Sequence, residues 1–493
     1  MRAEHAGIGV TNGPTTGQRL DSTNRALQAS WRAAAGGRIH RGGFSFRQDS
    51  LGALADSLAP FTMITGQLAT GGDELAANRR RSEAWVIKHV VEAGAGKWIA
   101  GAEGRSEMVS DERAPNPQGR IQFSALDART ATWIVSRERS AAAVRTTSAA
   151  LFAERVAVNT QRVTVRGGVR LDWQHRAGAI VSPRVVAAAR FSAVQLSGGA
   201  GLFVQTWSPD LFVAAAERDG THGKTFVVHD IPAGAIEGID PSSGEDLRTV
   251  LGPGFERRRD LVVRAGIQRR FGRLQMGIEH TWTRGQSLSG AERERDATGL
   301  VDRISSDRML RRHQTYVRAS VRRSTDAIVA YYQHVWSFDD SDGPFVPPAR
   351  QGDVSGEWAR SAGVARHAAG VTGALRMPGQ VRVSVTAEVR TGAAYTVLTG
   401  YDTEGLAVFT DRGGRPRNAG SLPAFGKVSL SASRRLSVPR AAWLTFDVGV
   451  RADNVTNHRN VTSVGRVAGA PTLGLPLDAT AGRSIRFWAS LAR

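Results

Sequence analysis

Three features of the sequence predict an all-β protein, an antiparallel transmembrane β-barrel. Apolar and polar residues alternate with a period of two in runs of roughly 8 to 12 residues, the reach of a tilted membrane-crossing strand. Short connections and long polar ones take turns along the chain, as at the two ends of a membrane barrel. No window approaches the ~18 to 20 continuous apolar residues of a membrane helix.

The runs justify the strands one by one. In "RVTVRGGVRLDW", Val163, Val165, Val169, Leu171 and Trp173 share one face, and Arg162, Thr164, Arg166, Arg170 and Asp172 share the other. Weaker copies follow at "DLVVRAGIQ" and "RLQMGIEHTW". In "VRVSVTAEVR", Val381, Val383, Val385, Ala387 and Val389 oppose Arg382, Ser384, Thr386, Glu388 and Arg390. After "KVSLSASRRL", the run "LTFDVGVRAD" sets Leu444, Phe446, Val448, Val450 and Ala452 against Thr445, Asp447, Gly449, Arg451 and Asp453. Between them lie the short turn "SVPRAAW" and the long polar stretches "DGTHGKTFVVHDIPAGAIEGIDPSSGEDLRT" and "WSFDDSDGPFVPPARQGD". Alternation alone leaves open which face is inside: a soluble sandwich buries its apolar face, whereas a membrane barrel turns it to lipid. Strands longer than the five or six residues usual in soluble sheets favour the membrane. Trp173, Trp336 and Trp443 stand at run ends, where an aromatic girdle would meet the headgroups.

Composition removes several classes of chemistry. The chain has no Cys, and with it no disulfide, thiolate metal site or cysteine nucleophile. Its 65 Lys and Arg against 45 Asp and Glu, nearly all the bases being arginine, raise nucleic acid as a partner. At 7% aromatic, with Trp at strand ends, a base-stacking platform is not expected, so no nucleic acid is assigned. "VEAGAGKW" has Val91 and Trp98, and "GTHGKTF" is preceded by Arg218, where a phosphate loop would need other residues. Neither a G-x-S-x-G nor an H-E-x-x-H motif occurs, so no catalytic, cofactor or metal residue is assigned and the chain is read as non-enzymatic. Asp402, Glu404 and Asp411 in "GYDTEGLAVFTDR" could hold calcium, but acidic residues beside Gly405 are also ordinary loop chemistry.

Arginine on the polar faces carries the mechanistic content. Arg162, Arg166, Arg170, Arg382, Arg390 and Arg451 would project into the lumen as a field that concentrates anions. The competing and favoured reading pairs them with nearby acids such as Asp172, Glu388 and Asp453, which stiffens the wall and selects nothing.

Longer stretches resemble a known family. "YYQHVWSFDDSDGPFVPP", "GEWARSAGVARHAAGVTGAL", "RTGAAYTVLTGYDTEGLAVFTDRGGRPRN" and "DNVTNHRN...GRSIRFWASL" follow in the order of the C-terminal barrel of TonB-dependent outer-membrane receptors. The likeness is to the subgroup with an N-terminal carboxypeptidase-regulatory-like domain. It is carried by residues 331–493 and, upstream, by "RVTVRGGVRLDWQ...SPRVVAAARF...LSGGAGLFVQTWSPDL". The resemblance makes Asp453, Asn454, Asn457, Gly482, Arg483 and Phe487 a C-terminal barrel signature, in which Asn and Asp turn the chain between the last two strands. It departs in three ways: no signal peptide or plug domain is visible, roughly 14 to 18 strands are expected rather than about 22, and Arg493 stands where an aromatic terminus is usual.

These readings combine into one expectation. Residues 1–493 form a single barrel, incomplete, without plug domain or signal peptide, from a receptor that takes up nutrients across the outer membrane of a Gram-negative cell. The implied partners are outer-membrane lipid, the TonB complex through a missing N-terminal region, the barrel-assembly machinery and an unknown bulky substrate. The alternatives are a plugless anion-selective porin, a non-functional fragment and, more weakly, a soluble basic nucleic-acid-binding β-protein.

Overall fold

In the computed structural model the described residues are 2–6, 18–55, 61–64, 69–70, 75–123, 130–136, 138–232, 235, 239–323, 326–438 and 441–492, with side chains of a few strand ends left aside. Their wall is a meander in which each strand pairs antiparallel with the next. It runs β1 (Arg2–Ala6), β2 (Gln18–Ala35), β3 (Arg38–Ala55), β4 (Leu75–Ala93), β5 (Trp98–Pro115) and β6 (Ser140–Asn159). It continues through β7 (Val163–Gln174), β8 (Gly178–Phe191), β9 (Val194–Val204), β10 (Arg259–Phe271), β11 (Leu274–Asp296) and β12 (Gly299–Arg323). The last six are β13 (Asp326–Asp339), β14 (His367–Arg376), β15 (Val381–Arg390), β16 (Phe425–Val438), β17 (Ala441–Asp453) and β18 (Ser484–Ala492). The tally meets the upper end of the expected range. Among the described residues β18 is paired along one edge only, with β17, and no ladder joins it to β1 or β2.

Local sequence explains the pattern of connections. β2 turns into β3 through Gly36 and Gly37, both at positive φ, the pair a tight primed hairpin turn requires. Turns of similar brevity join β4 to β5, β6 to β7, β8 to β9 and β10 to β11, all at one end of the wall. Most connections at the opposite end are long, among them 205–258, 340–366, 391–424 and 454–483. The 205–258 stretch corrects the reading of "DGTHGKTFVVHDIPAGAIEGIDPSSGEDLRT" as a plain loop. It contains helix α1 (Pro209–Ala216), capped by Ser208, and strands Thr225–Pro232 and Glu245–Leu251, the latter parallel to β12. The strands form because Val227 and Leu247 are buried against Leu300, Leu406 and Ala407.

The apolar core sits in these connections and at the wall's upper rim. Its clusters are built on Ile121, Trp133, Val135 and Ile231, on Val227, Leu247 and Leu300, and on Val109, Ala142 and Val213. The wall itself shows the reverse of a soluble sheet. Leu151 is 59% exposed and Val181 53%, while Asp172, Gln174 and Ser182 on the other face are buried. A soluble sandwich would hide the first set, so the apolar face is the outside of a transmembrane barrel and the polar face its interior. The third alternative, a soluble nucleic-acid-binding sheet, loses its support here. On the inner face Gly449 gives room to Trp488, whose ring a Cβ at that position would meet at 2.2 Å.

Candidate functional site

The inner face of β4 to β8 is a lattice of opposite charges. Arg170 donates from Nε to Asp172 at 2.7 Å and stands 3.8 Å from Glu103, which Lys88 approaches to the same distance. Glu154 lies 2.8 Å from Arg166 and 3.0 Å from Arg184. With Ser148, Ser182 and Arg105, several of these groups line a cavity of about 290 Å³. From the 205–258 connection the buried Arg257 reaches in, donating to the carbonyls of Asp172 at 3.1 Å and Gly178 at 3.0 Å. Part-exposed pairs of this kind contribute about 0.2–1 kcal/mol each. Their larger effect is to cancel charge along the wall.

The six arginines singled out in the sequence divide accordingly. Arg166, Arg170 and Arg451 have carboxylate partners, Arg451 meeting Asp453 at 3.0 Å. Arg390 lies over the ring of Phe425, 4.2 Å from its centroid, and Arg382 faces Arg376 directly across the ladder. Arg162 precedes β7 and stands in the turn, its backbone N–H donating to the Thr160 hydroxyl and its carbonyl accepting from Arg190. The predicted partner Glu388 makes no ion pair with any of them.

The signature residues meet at the junction of β17 and β18. Asn454 and Asn457 both have φ of 54°, a left-handed geometry that Asn tolerates better than most residues. Asn454 donates through Nδ2 to the carbonyls of His458 and Ala481, and Asn457 Oδ1 accepts from the backbone of Arg483 at 2.9 Å. Gly482 packs against Asn457, which a Cβ would touch at 2.8 Å. Asp453 gathers Arg451 and Arg486. Phe487 points outward from β18 and is 81% exposed, whereas Arg493 lies outside the described residues. Asn460, absent from the predicted set, exchanges two hydrogen bonds with the Gly426 backbone and ties the same junction to β16.

The acidic loop does not converge on a cation. Asp402 accepts from the backbones of Leu406 and Ala407, Glu404 from Gln351, and Asp411 from Thr399 and Gly413. Among the described residues no group of three or more His, Asp or Glu is arranged to hold a metal.

Two buried centres escaped the sequence reading. Arg417, 1% exposed at its side chain, pairs with Asp339 and Asp342 and donates to the Glu357 carbonyl at 2.8 Å. Arg412 adds a two-pronged contact to the Glu357 carboxylate at 2.8 and 2.9 Å. Together they fasten the 340–366 and 391–424 connections. The other centre is Glu217, beside α1, 3.1 Å from Arg113 and close to the buried Asp111. Burial, with the neighbouring Asp111 acting in the same sense against Arg113, pushes its carboxyl up to about 7. Sequence periodicity carries no signal for either, since their partners lie 55 to 78 residues away for the arginines and about a hundred for Glu217.

Comparison with known proteins places the fold. No protein-family profile matches the chain, and no curated protein does. Among solved structures it is similar to the outer membrane transporter YddB from Escherichia coli, with a TM-score of 0.64 at 10% identity, over 98% of this chain and 64% of that one. The siderophore receptor PirA from Acinetobacter baumannii gives 0.57 at 11% identity, over 96% and 62%. The FrpB iron transporter from Neisseria meningitidis gives 0.54 at 12%, over 100% and 75%. The fold is therefore that of an outer-membrane, transporter-like β-barrel, and the chain spans under two thirds of the length of YddB and PirA.

Proposed function

We propose that this chain is the barrel of a TonB-dependent outer-membrane receptor, taking part in uptake of a bulky nutrient and performing no catalysis. The observation that carries the reading is the match of almost the whole chain to outer-membrane transporters and siderophore receptors. A polar interior, with paired charges along β4 to β8, and an apolar exterior support it further. In this reading residues 1–493 form one barrel domain in the outer membrane of a Gram-negative cell, placed there by the barrel-assembly machinery. A plug domain and a TonB-contacting segment gate it. The paired arginines Arg166, Arg170 and Arg451 are structural, and Asp453, Asn454 and Asn457 turn the chain into its last strand.

The test is solute flux in liposomes. The chain alone should leak polar solutes, and addition of the plug domain from the complete protein should close it. A product that stays monomeric in buffer without detergent overturns the reading. Reversal potentials in planar bilayers decide against the anion-selective porin if chloride and potassium permeate equally.

A further inference from the structure

The arginines are not distributed evenly over the barrel. At the short-turn end, exposed arginines stand on the outward face within a few residues of the strand ends. Arg38 opens β3, Arg155 lies opposite Trp98 at the start of β5, and Arg269 lies near the end of β10. Arg434 is on β16 opposite Val381, the first residue of β15. None of the four has a carboxylate within ion-pair distance among the described residues, and Asp326 is the acid on the outward face at this end, its carboxylate accepting from the Arg376 backbone. Two of them lie against aromatic rings: Arg155 is 4.7 Å from the centroid of Trp98, and Arg269 is 4.7 Å from that of Phe271. Those rings are themselves 48% exposed, on the same outward face as Leu151 and Ile267.

This is the arrangement of an interfacial anchor. An outward aromatic at the limit of an apolar band sits at headgroup depth, and a guanidinium stacked on it is held at that depth with its five donors free. A cation on a lipid-facing surface is tolerated near the interface and not at the midplane. Its natural counter-charge there is a phosphate in the plane of the bilayer, because the neighbouring strands offer no carboxylate.

We infer that Arg38, Arg155, Arg269 and Arg434 are separate seats, spaced around the wall on β3, β6, β10 and β16, each for a phosphate headgroup of anionic phospholipid in the leaflet at the short-turn end. The inference rests on the transmembrane-barrel reading and deepens it by assigning the lipid class and the residues that bind it. An acidic protein is the competing occupant. The outward position of the arginines beside membrane-facing rings favours lipid over a partner approaching along the barrel axis.

The experiment is native mass spectrometry of the full chain in detergent micelles offered phosphatidylglycerol and phosphatidylcholine in equal amounts. The unmodified protein should retain phosphatidylglycerol at least tenfold over phosphatidylcholine. The triple variant R155Q/R269Q/R434Q should lose most of that preference, while R145Q/R311Q, at the long-loop end, should keep it. Heat-modifiable migration on a detergent gel reports barrel formation separately. A chain that never becomes heat-modifiable defeats the barrel reading; a folded chain with no lipid preference, or a triple variant that keeps it, overturns the inference alone. Displacement of phosphatidylglycerol by soluble polyglutamate at equal charge would assign the arginines to an acidic protein and overturn it too. Should the triple variant fail to fold, the three single variants carry the same readout, each expected to lower the preference two- to threefold.

Discussion

The two ends of this barrel treat the same residue type in opposite ways. At the long-loop end arginine is an internal strut: Arg417, Arg412, Arg293 and Arg308 are buried or nearly so, each joined to one or more carboxylates. At the short-turn end the outward arginines Arg38, Arg155, Arg269 and Arg434 have no carboxylate within ion-pair distance among the described residues, and on the inner face Arg376 and Arg382 oppose each other across a ladder. Both ends draw on one composition, so composition does not decide what an arginine does. A buried guanidinium without a partner costs several kcal/mol, and the long connections supply aspartate and glutamate to prevent that. Turns of two to four residues can neither bury a side chain nor bring a partner to it.

Breaking a strut should produce the largest change. R417A removes the guanidinium shared by Asp339 and Asp342 and leaves two carboxylates partly buried, at a cost of about 3–5 kcal/mol to the local fold. Hydrogen exchange should show residues 340–366 and 391–424 losing protection while β14 to β16 keep theirs. Protection unchanged in those connections would remove the strut interpretation.

Glu217 comes next. Its carboxyl titrates at about 7 in the folded chain, above its ordinary value of 4.5, so the fold binds a proton that the opened loop does not. The stabilisation is complete below pH 4.5 and is lost as pH rises through about 7. We expect α1 and the following residues to be cleaved on the order of tenfold or more faster by protease at pH 8.5 than at pH 5.5, a difference of about 1–3 kcal/mol. E217Q should flatten that profile.

A smaller effect is expected on the wall. E154Q would leave Arg166 and Arg184 without their shared carboxylate and add a net positive charge to the interior, at a stability cost of about 0.5–1 kcal/mol. Its signature is a shift of the reversal potential toward anions. At the short-turn end R382Q should change stability by no more than about 0.5 kcal/mol, and in the stabilising direction, because it relieves repulsion with Arg376. A loss larger than 1 kcal/mol in a denaturant titration would mean that Arg382 has a structural partner.

The same contrast explains what the sequence made legible. Strands β7 and β15 were readable almost to the residue, since a wall strand between lipid and water must alternate and Val381–Arg390 does so without exception. Arg162 was misplaced by one position because the alternation runs on into a turn that hydrogen bonds, not hydrophobicity, define. The upper parts of β11 and β12, whose 23 and 25 residues outrun any bilayer, meet no lipid and show no clean period. The strut network was invisible for a related reason: "RGGRPRN" reads as a polar loop until residues far away in sequence close over it. The turn-forming role of Asn454 and Asn457 was accessible because it is local chemistry.

The Asn454–Asn457 clamp has a consequence for how the last strand is set. Closing a loop of some thirty residues carries an entropic penalty that grows with the logarithm of its length. By fixing Asn457 to Arg483 and Asn454 to Ala481, the clamp closes the ends of that loop at its base and leaves its tip irrelevant to the alignment beneath. Alignment is what matters there, since a slip of one residue would turn Phe487 and Leu491 inward and Arg486 out. Residues 461–479 are anchored separately, with the buried Val467 bridged to Leu398, so the register of β18 is set by the joint at its base and not by the fold of the loop above it.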